Sequence, residues 1–359
     1  MQATLFLEDG TKVPGVAAGA PGVAIGDLTV YAGHDPVQRL TDPASSGQIC
    51  AFTQPAVGLW GVNTEHCETG TPWVRGAVMR KLCGDPSNWR SAETLDFYLR
   101  RHLIPAIEGI DVPSLQSLAE EKKIKRCAIV NSADFNGWDA LREQIRSHKA
   151  DKKPFPAAVK TVSSFGSKNA VAHVAVCDFG SSRALTRLLI SLRVRVTLLP
   201  PYDASVILSR GGYDGVIYPD GAGEPRSHPA ITEGVRDLLD TGIPMLGFGL
   251  GFRYIGAALG ARFTQMKSPH RGAWIPVTDL RTGALLYTWQ MHGHTPDVIP
   301  EGLAVTHRNP LDGTIEGFAA EDGPVAAVHF LPCSDLRVGG TGELCAILFG
   351  LLKGSRHYA

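Results

Sequence analysis

The sequence feature with the clearest bearing on chemistry is the run PMLGFGLGFR at positions 244–253. An apolar stretch enters a glycine-rich turn and a helical pattern follows, the geometry that α/β enzymes use to hold a nucleophile on a strained elbow. Gly249 stands at the apex of this turn, so the position carries no side-chain nucleophile. The pattern therefore predicts an elbow without a reactive group of its own.

Two other groups of residues could supply chemistry. Cys333 could be imagined as a relocated nucleophile, but no histidine is placed by sequence to activate it, and a free cysteine is usually a small buried hydrophobe. His292 and His294, with His270 nearby, would offer three imidazoles of the kind that bind zinc. Cys333 is interpreted as structural.

The elements that must position these residues alternate between strand and helix over the second half of the chain. Strands are predicted at 171–176, 194–199, 215–218 and 243–248, and helices at 182–192, 231–239 and 250–259. This alternation is typical of a doubly wound parallel sheet, whose ligands bind beyond the carboxyl ends of the strands. Further along, antiparallel strands are predicted at 285–292, 304–308 and 324–330, and a closing helix at 343–353.

The first half has a different texture, with short apolar runs separated by Gly, Pro and Asp. Such runs indicate β-strands joined by tight turns. The sequence thus predicts an α/β protein with a mixed, β-rich domain over 1–147, a polar linker over 148–169, and a doubly wound α/β domain over 170–359.

Composition limits which partners and which cellular location are expected for this protein. The 35 Lys and Arg balance the 35 Asp and Glu, so no overall field favours nucleic acid or an anionic membrane. No signal pattern opens the chain, and no apolar run reaches the roughly 18 residues that span a bilayer. The seven cysteines are widely spaced, unlike a disulfide framework or a metal site. We expect a reduced, cytoplasmic protein.

Taken together, motifs along nearly the whole chain are similar to those of one family. The first half contains LEDGT (7–11), LTDP (40–43), GQI (47–49), NWR (88–90) and GID (109–111). The second half contains DFG (178–180), GAGEP (221–225), HG (292–293), VTHR (305–308) and DGT (312–314). In content and order the chain resembles the small, glutamine-hydrolysing subunit of carbamoyl phosphate synthetase. The resemblance implies an N-terminal small-subunit domain followed by a class I glutamine amidotransferase domain.

The resemblance also shows which functional groups this chain lacks. The family hydrolyses glutamine with a cysteine in a GICLGHQ elbow, and with a histidine and a glutamate in a later HPE segment. Aligned on these motifs, the nucleophile position is Gly249, the base position is Leu331 and the position that orients the base is Cys333. All three members of the nucleophile-base-orienter arrangement are therefore replaced.

Other positions implied to contact glutamine have changed as well. The family's serine after Thr-Asp-Pro corresponds to Ala44, its elbow glutamine to Arg253, and its asparagine before His-Gly to Met291. The positions that match the family's glutamine site are mostly ones that act through their backbone. The implied remnants of the glutamine site are Gly221, Gly223, Leu250 and Gly293.

Two of the histidines that could bind zinc also correspond to histidines of the family. The family has histidine at the positions of His270 and His292, so both are interpreted as inherited structural groups. No metal and no cofactor is predicted.

The resulting interpretation is a subunit with an inactive glutaminase site. The resemblance implies a large ATP-grasp partner, a hetero-oligomer, free ammonia or another amine as nitrogen source, and a structural or regulatory role in making carbamoyl phosphate for pyrimidines, arginine or another product. Two alternatives remain open. In one, Arg253, His292 and His294 line a remodelled pocket for an anionic metabolite. In the other, the chain retains glutamine-dependent or other hydrolytic activity through different residues.

Overall fold

The computed structural model describes residues 2–33, 35–132, 135–148, 155, 158–180, 183–331 and 340–355. The chain divides into two compact units, residues 1–153 and 154–359. Among the described residues, no helix combines the length and apolar character needed to cross a membrane.

The first unit is built on a closed β-barrel with short helices. Its strands are β1 (Gln2–Leu7), β2 (Lys12–Gly19), β3 (Gly22–Tyr31), β4 (Gln48–Phe52), β5 (Gly76–Val78), β6 (Pro105–Glu108) and β7 (Arg126–Asn131). Its helices are α1 (Pro36–Thr41), α2 (Leu95–Arg101), α3 (Val112–Glu121) and α4 (Trp138–Ser147). The strand order is β1-β2-β6-β5-β4-β3-β7, and β7 closes the barrel by pairing with β1.

The barrel interior explains the short apolar runs of the first half. Leu5, Ile49, Val78, Ile107 and Ile129 come from five different strands and meet in one core in which each is fully buried. Closure leaves no unpaired sheet edge, which stabilises short strands that would be weak alone. The predicted β-rich first domain is therefore present as a barrel.

The second unit is a large mixed sheet with helices. Its strands are β8 (Ser163–Phe165), β9 (Ala172–Cys177), β10 (Val194–Leu199), β11 (Gly215–Tyr218), β12 (Met245–Phe248), β13 (Arg262–Asp279), β14 (Leu285–Val298), β15 (Leu303–Arg308), β16 (Ile315–Ala320) and β17 (Val325–Val328). Its helices are α5 (Arg183–Ser191), α6 (Ala204–Leu208), α7 (Pro229–Leu239), α8 (Leu250–Ala258) and α9 (Gly340–Ser355).

The strand order of this sheet is β14-β13-β15-β16-β17-β12-β11-β9-β10-β8. The central strands of the sheet, β17, β12, β11, β9 and β10, run parallel to one another. They are the apolar runs that a doubly wound sheet buries on both faces. The strands from β13 to β16 form an antiparallel extension, in which β13 and β14 make a long, bulged hairpin.

Two details differ from the sequence-based expectation. The segment expected as an antiparallel strand at 324–330 is β17, which pairs parallel to β12 and antiparallel only to β16. Its residues are apolar and buried on both faces, so local sequence gave no sign of direction. The strand β8 lies inside the segment expected as linker and pairs with β10 at the sheet edge. An edge strand needs little apolar sequence, which is why its Ser163-Ser-Phe165 reads as polar.

Candidate functional site

The predicted elbow is present between β12 and α8. Gly249 connects them with φ 55° and ψ −115°, a backbone conformation that residues with a Cβ rarely adopt. Two residues on, Gly251 lets the helix approach β11, because a Cβ there would overlap the Tyr218 carbonyl, and the Gly251 amide donates to Pro219 O at 3.0 Å. The strained turn is thus held by backbone packing and needs no side chain at its apex.

The space that a side chain at the apex would need is occupied. A Cβ built on Gly249 would lie 2.6 Å from Leu331 Cδ2 and 2.6 Å from Asp220 Cγ, with an Asp220 carboxylate oxygen closer still. Both distances are well below van der Waals contact. The elbow therefore has a strained turn conformation, and a side chain at its apex would require Asp220 and Leu331 to shift.

The Asp220 carboxylate also accepts a hydrogen bond from the backbone amide that follows the apex. This residue is the second after β11, and its Oδ1 accepts from Leu250 N–H at 2.9 Å. The sequence interpretation assigned Leu250 to the remnant of the glutamine site, since an amide at this position can stabilise an oxyanion. Here the donor is already bound to a carboxylate.

The base position carries no titratable group. Leu331 follows β17, its amide donates to Trp289 O at 2.9 Å, and its side chain packs against an apolar core. Cys333, the orienter position, lies outside the described residues. The structure therefore places an apolar side chain beside the apex of the elbow.

The glycine remnants have different local reasons. A Cβ at Gly221 would press on Phe179, and Gly223 has φ +146° beside Leu250, so turn geometry accounts for both. Gly293 lies in β14, where the nearest atom to an added Cβ would be Pro269 Cβ at 3.6 Å. Packing does not explain the glycine at that position.

Arg253 lies on α8, one turn after the elbow, and is an ion-pair partner rather than an open anion receptor. Its Nη2 donates to both carboxylate oxygens of Glu224 at 2.5 and 2.6 Å, and the residue is 9% exposed. A cavity of about 160 Å³ adjoins this pair, with Arg226 and Arg262 also in its lining. Arg262 is in turn paired with Asp297. Two of the three arginines that line the cavity are therefore already paired with carboxylates.

Two further altered positions, Ala44 and Met291, have apolar side chains. Ala44 belongs to the first unit, in a short 3₁₀ turn whose cap is Asp42, and its amide donates to Asp42 Oδ1 at 2.9 Å. Met291 lies on β14 opposite Arg271 of β13. Neither residue has a polar side chain to offer a ligand.

The histidines singled out by the sequence separate into two environments. His270 on β13 and His292 on β14 are cross-strand partners, and both face Glu316 of β16. Gln290 completes the group. We call these four residues, His270, Gln290, His292 and Glu316, the histidine cluster.

Distances within the histidine cluster are short. His270 Nδ1 lies 2.7 Å from Gln290 Oε1 and 3.2 Å from Glu316 Oε1. His292 Nε2 lies 2.9 Å from the same Gln290 oxygen and 3.2 Å from Glu316 Oε2. Two imidazoles, one carboxylate and one amide oxygen thus converge on a common point.

Burial and charge act against each other in this cluster. Burial alone would lower the pKa of His270, but the Glu316 and Asp312 carboxylates outweigh it and raise that pKa to about 9. Burial alone would raise the pKa of Glu316, yet the charge of His292, followed by the contact with His270, holds that pKa well below its ordinary value. The cluster is therefore an ionic centre inside the sheet.

Two more histidines lie close by. His329, at the end of β17, stacks on His292 with ring centroids 3.6 Å apart, and burial followed by the charge of His292 lowers the pKa of His329 well below its ordinary value. His294 has its pKa lowered by burial first and by the Arg253 charge second. His294 therefore lies within the field of the Arg253–Glu224 pair, whereas His292 belongs to the histidine cluster.

Sequence reasoning missed Glu316 and His329, and it placed residues 220–225 around the candidate site without giving Asp220 or Glu224 a role. Asp220 precedes the GAGEP segment (221–225) and Glu224 lies within it, beyond the carboxyl end of β11, where such sheets bind ligands. Glu316 and His329 gave no local signal, because each is a single polar residue among apolar neighbours and meets the others only through sheet pairing.

Comparison with known proteins gives the family. Residues 5–129 match the model described as carbamoyl-phosphate synthase small chain, CPSase domain, and residues 175–346 match glutamine amidotransferase class-I. These matches identify the β-rich first half and the α/β second half as the two domains that the sequence resemblance implied.

Similar full-length proteins carry one name. The carbamoyl phosphate synthase small chain of Archaeoglobus fulgidus is 33% identical over 344 residues, covering 92% of this chain and 93% of its own. That of Thioalkalivibrio sulfidiphilus is 32% identical over 341 residues, covering 90% and 89%. The pyrimidine-specific small chain of Lactiplantibacillus plantarum is 30% identical over 336 residues, covering 92% and 91%. The chain therefore belongs to the carbamoyl phosphate synthase small-chain family.

Proposed function

We propose that this chain is a non-hydrolytic small subunit of a carbamoyl phosphate synthase-type complex. The observation that carries the proposal is the elbow, where Gly249 supplies no nucleophile and Asp220 with Leu331 fills the space that one would need. The domain matches support the subunit class, and the elbow supports the loss of glutamine hydrolysis.

The chemical reason is that amide hydrolysis through a covalent intermediate has three requirements. It needs a nucleophile, a base that takes the nucleophile's proton, and donors aimed at the developing oxyanion. Gly249 and Leu331 provide neither of the first two groups. The Leu250 amide is bound by the Asp220 carboxylate, whose negative charge would also repel an oxyanion. Each requirement thus fails at a different residue.

The proposed partner follows from the relatives. Proteins named carbamoyl phosphate synthase small chain cover about nine-tenths of this sequence. A small chain implies a large one, which the family resemblance gives as an ATP-grasp subunit. Without glutamine hydrolysis, the nitrogen would reach that subunit as free ammonia or another amine, and this chain would act as a structural or regulatory subunit.

The test compares nitrogen sources in the complex with its large subunit. We expect carbamoyl phosphate to form from bicarbonate, ATP and ammonium, with no formation from glutamine and no release of glutamate. The matched control replaces this chain with the Archaeoglobus fulgidus small chain and its own large subunit. Sustained glutamate release by this chain would refute the loss of hydrolysis. Failure to co-purify with any ATP-grasp subunit would refute the proposed partnership.

A second candidate function is binding of an anionic metabolite beside Arg253, favoured by the three arginines that line the adjoining cavity. An anion there must compete with Glu224 for Arg253. We therefore expect Glu224→Gln to increase the thermal stabilisation that acidic metabolites give. A screen in which neither the natural chain nor this variant is stabilised would exclude the site.

A further inference from the structure

We propose that the histidine cluster is a binding site for a divalent transition-metal ion of the zinc type, with His270, His292 and Glu316 as ligands. One ligand atom from each of the three residues lies within 4.8 Å of the other two. Two imidazoles and a carboxylate form a donor set that suits Zn²⁺.

Two nitrogen–oxygen distances, one to each Glu316 oxygen, are close to an edge of a coordination tetrahedron. Ligand bonds of about 2.0–2.1 Å place neighbouring ligand atoms of a tetrahedral ion about 3.3 Å apart. His270 Nδ1 and His292 Nε2 each lie 3.2 Å from a Glu316 oxygen. Gln290 Oε1, at 2.7 and 2.9 Å from the two nitrogens, lies where a small outward shift would make it the fourth ligand.

The outer nitrogen of each imidazole is held in the manner typical of metal-binding histidines. His270 Nε2 lies 2.8 Å from Asp312 Oδ2, and His292 Nδ1 lies 3.0 Å from the carbonyl oxygen of His294. With a metal ion bound, such an acceptor would hold the proton on the outer nitrogen and leave the inner nitrogen with a lone pair. In the metal-free chain the inner nitrogens donate to Gln290 Oε1, and the metal ion would displace those protons. Both inner nitrogens then face the Glu316 carboxylate.

The oxygen donors are held as firmly as the nitrogens. Thr314 Oγ1 donates to Glu316 Oε1 at 2.8 Å, and Gln290 Nε2 donates to Thr288 Oγ1 at 3.0 Å, which turns the Gln290 carbonyl oxygen toward the imidazoles. Glu316 Oε2 is buried and has no hydrogen-bond partner among the described residues, although His292 Nε2 is close. Close approach without hydrogen-bond geometry is expected of two atoms that share a metal ion.

A neighbouring residue strengthens the inference. His329 is 1% exposed, and neither of its ring nitrogens has a hydrogen-bond partner among the described residues. Burying an unpartnered imidazole is costly, so a ligand-binding or charge-balancing role is expected near it. Its ring lies directly against that of His292. The alternative to metal binding is that protons on the inner nitrogens of His270 and His292 neutralise the Glu316 carboxylate. Metal titration distinguishes these two arrangements.

The first experiment titrates the chelator-treated, untagged chain with Co²⁺ and then with Zn²⁺. We expect one ion per chain, visible absorption typical of tetrahedral Co²⁺, displacement of Co²⁺ by Zn²⁺, and a rise in melting temperature with added metal. A folded chain that binds neither ion at micromolar concentration overturns the proposal.

Variants locate the site. Glu316→Gln and His292→Gln remove ligands and are expected to weaken Co²⁺ binding by more than about 100-fold, and Asp312→Asn, which alters only an outer contact, by about 10- to 100-fold. The matched control is His173→Gln, a change at a histidine of β9 whose ring nitrogens contact Gly212 O and Thr197 Oγ1. It should leave the affinity unchanged.

Two outcomes contradict the assignment. One is an affinity that is unchanged in both ligand variants, and the other is an affinity lost in His173→Gln alone. Because Asp312 is partly exposed, its variant remains informative if the buried substitutions prevent folding.

Discussion

The elbow and the histidine cluster belong to the same sheet and differ in what maintains them. At the elbow the backbone adopts a strained turn while the side chains that would use it are absent. In the cluster four polar side chains from three strands are oriented toward one another. The comparison shows that packing alone holds the turn at the elbow, whereas the histidine cluster depends on contacts among its polar side chains.

The elbow and the histidine cluster are stabilised by different interactions, backbone packing in the first and charge pairing in the second. The turn at Gly249 follows from glycine's freedom and from the contact of α8 with β11, both independent of chemistry. A buried carboxylate among imidazoles is stable only when its charge is matched. Three substitutions test this difference, beginning with the largest expected effect.

Removing the Glu316 carboxylate should be the most damaging change. Glu316→Ala in chelator-treated protein would leave His270 and His292 without their shared counter-charge, so we expect a loss of about 3–5 kcal/mol in the free energy of unfolding. Urea denaturation measures it. The control, Glu321→Ala at an exposed position, should change stability by less than about 0.5 kcal/mol. Equal effects for the two variants would mean that the cluster does not stabilise the sheet.

Restoring a side chain at the apex should also destabilise the protein. Gly249→Cys imposes a strained backbone on a residue with a Cβ and forces overlap with Leu331 and Asp220, at a cost of about 2–4 kcal/mol. Gly293→Cys is the matched control, since its Cβ would meet nothing closer than 3.6 Å.

A double-mutant cycle assigns the overlap in this variant. If Leu331 blocks the apex, Leu331→Ala should reduce the cost of Gly249→Cys, giving a coupling energy of at least about 0.5 kcal/mol. A coupling near zero would show that backbone strain alone accounts for the effect.

The smallest effect is expected at the oxyanion amide. Asp220→Ala removes the acceptor of Leu250 N–H, which should cost about 1–2 kcal/mol and increase hydrogen exchange at that amide. Amide exchange followed by NMR measures it directly, with Asp322→Ala at an exposed position as the control. Unchanged protection of Leu250 would indicate that the carboxylate does not hold this amide in solution.

Local sequence predicted much of the second unit because its helices and parallel strands have strong apolar periodicity. The strands at 194–199 and 215–218 match their predicted bounds, and the helix after the elbow ends one residue earlier than predicted. The direction of β17 and the edge strand β8 could not be predicted, because direction and edge pairing depend on distant partners.

By itself, the sequence determined the absence of a cysteine at the elbow and of a histidine at position 331, since identity at a position needs no coordinates. It also determined the alternation of strands and helices that makes the elbow. Only the tertiary structure decided that Asp220 fills the vacated space, that Glu224 pairs with Arg253, and that Glu316 joins His270 and His292. The physical reason is that charge pairing and volume filling act between residues brought together by sheet pairing, at separations for which the chain carries no local pattern.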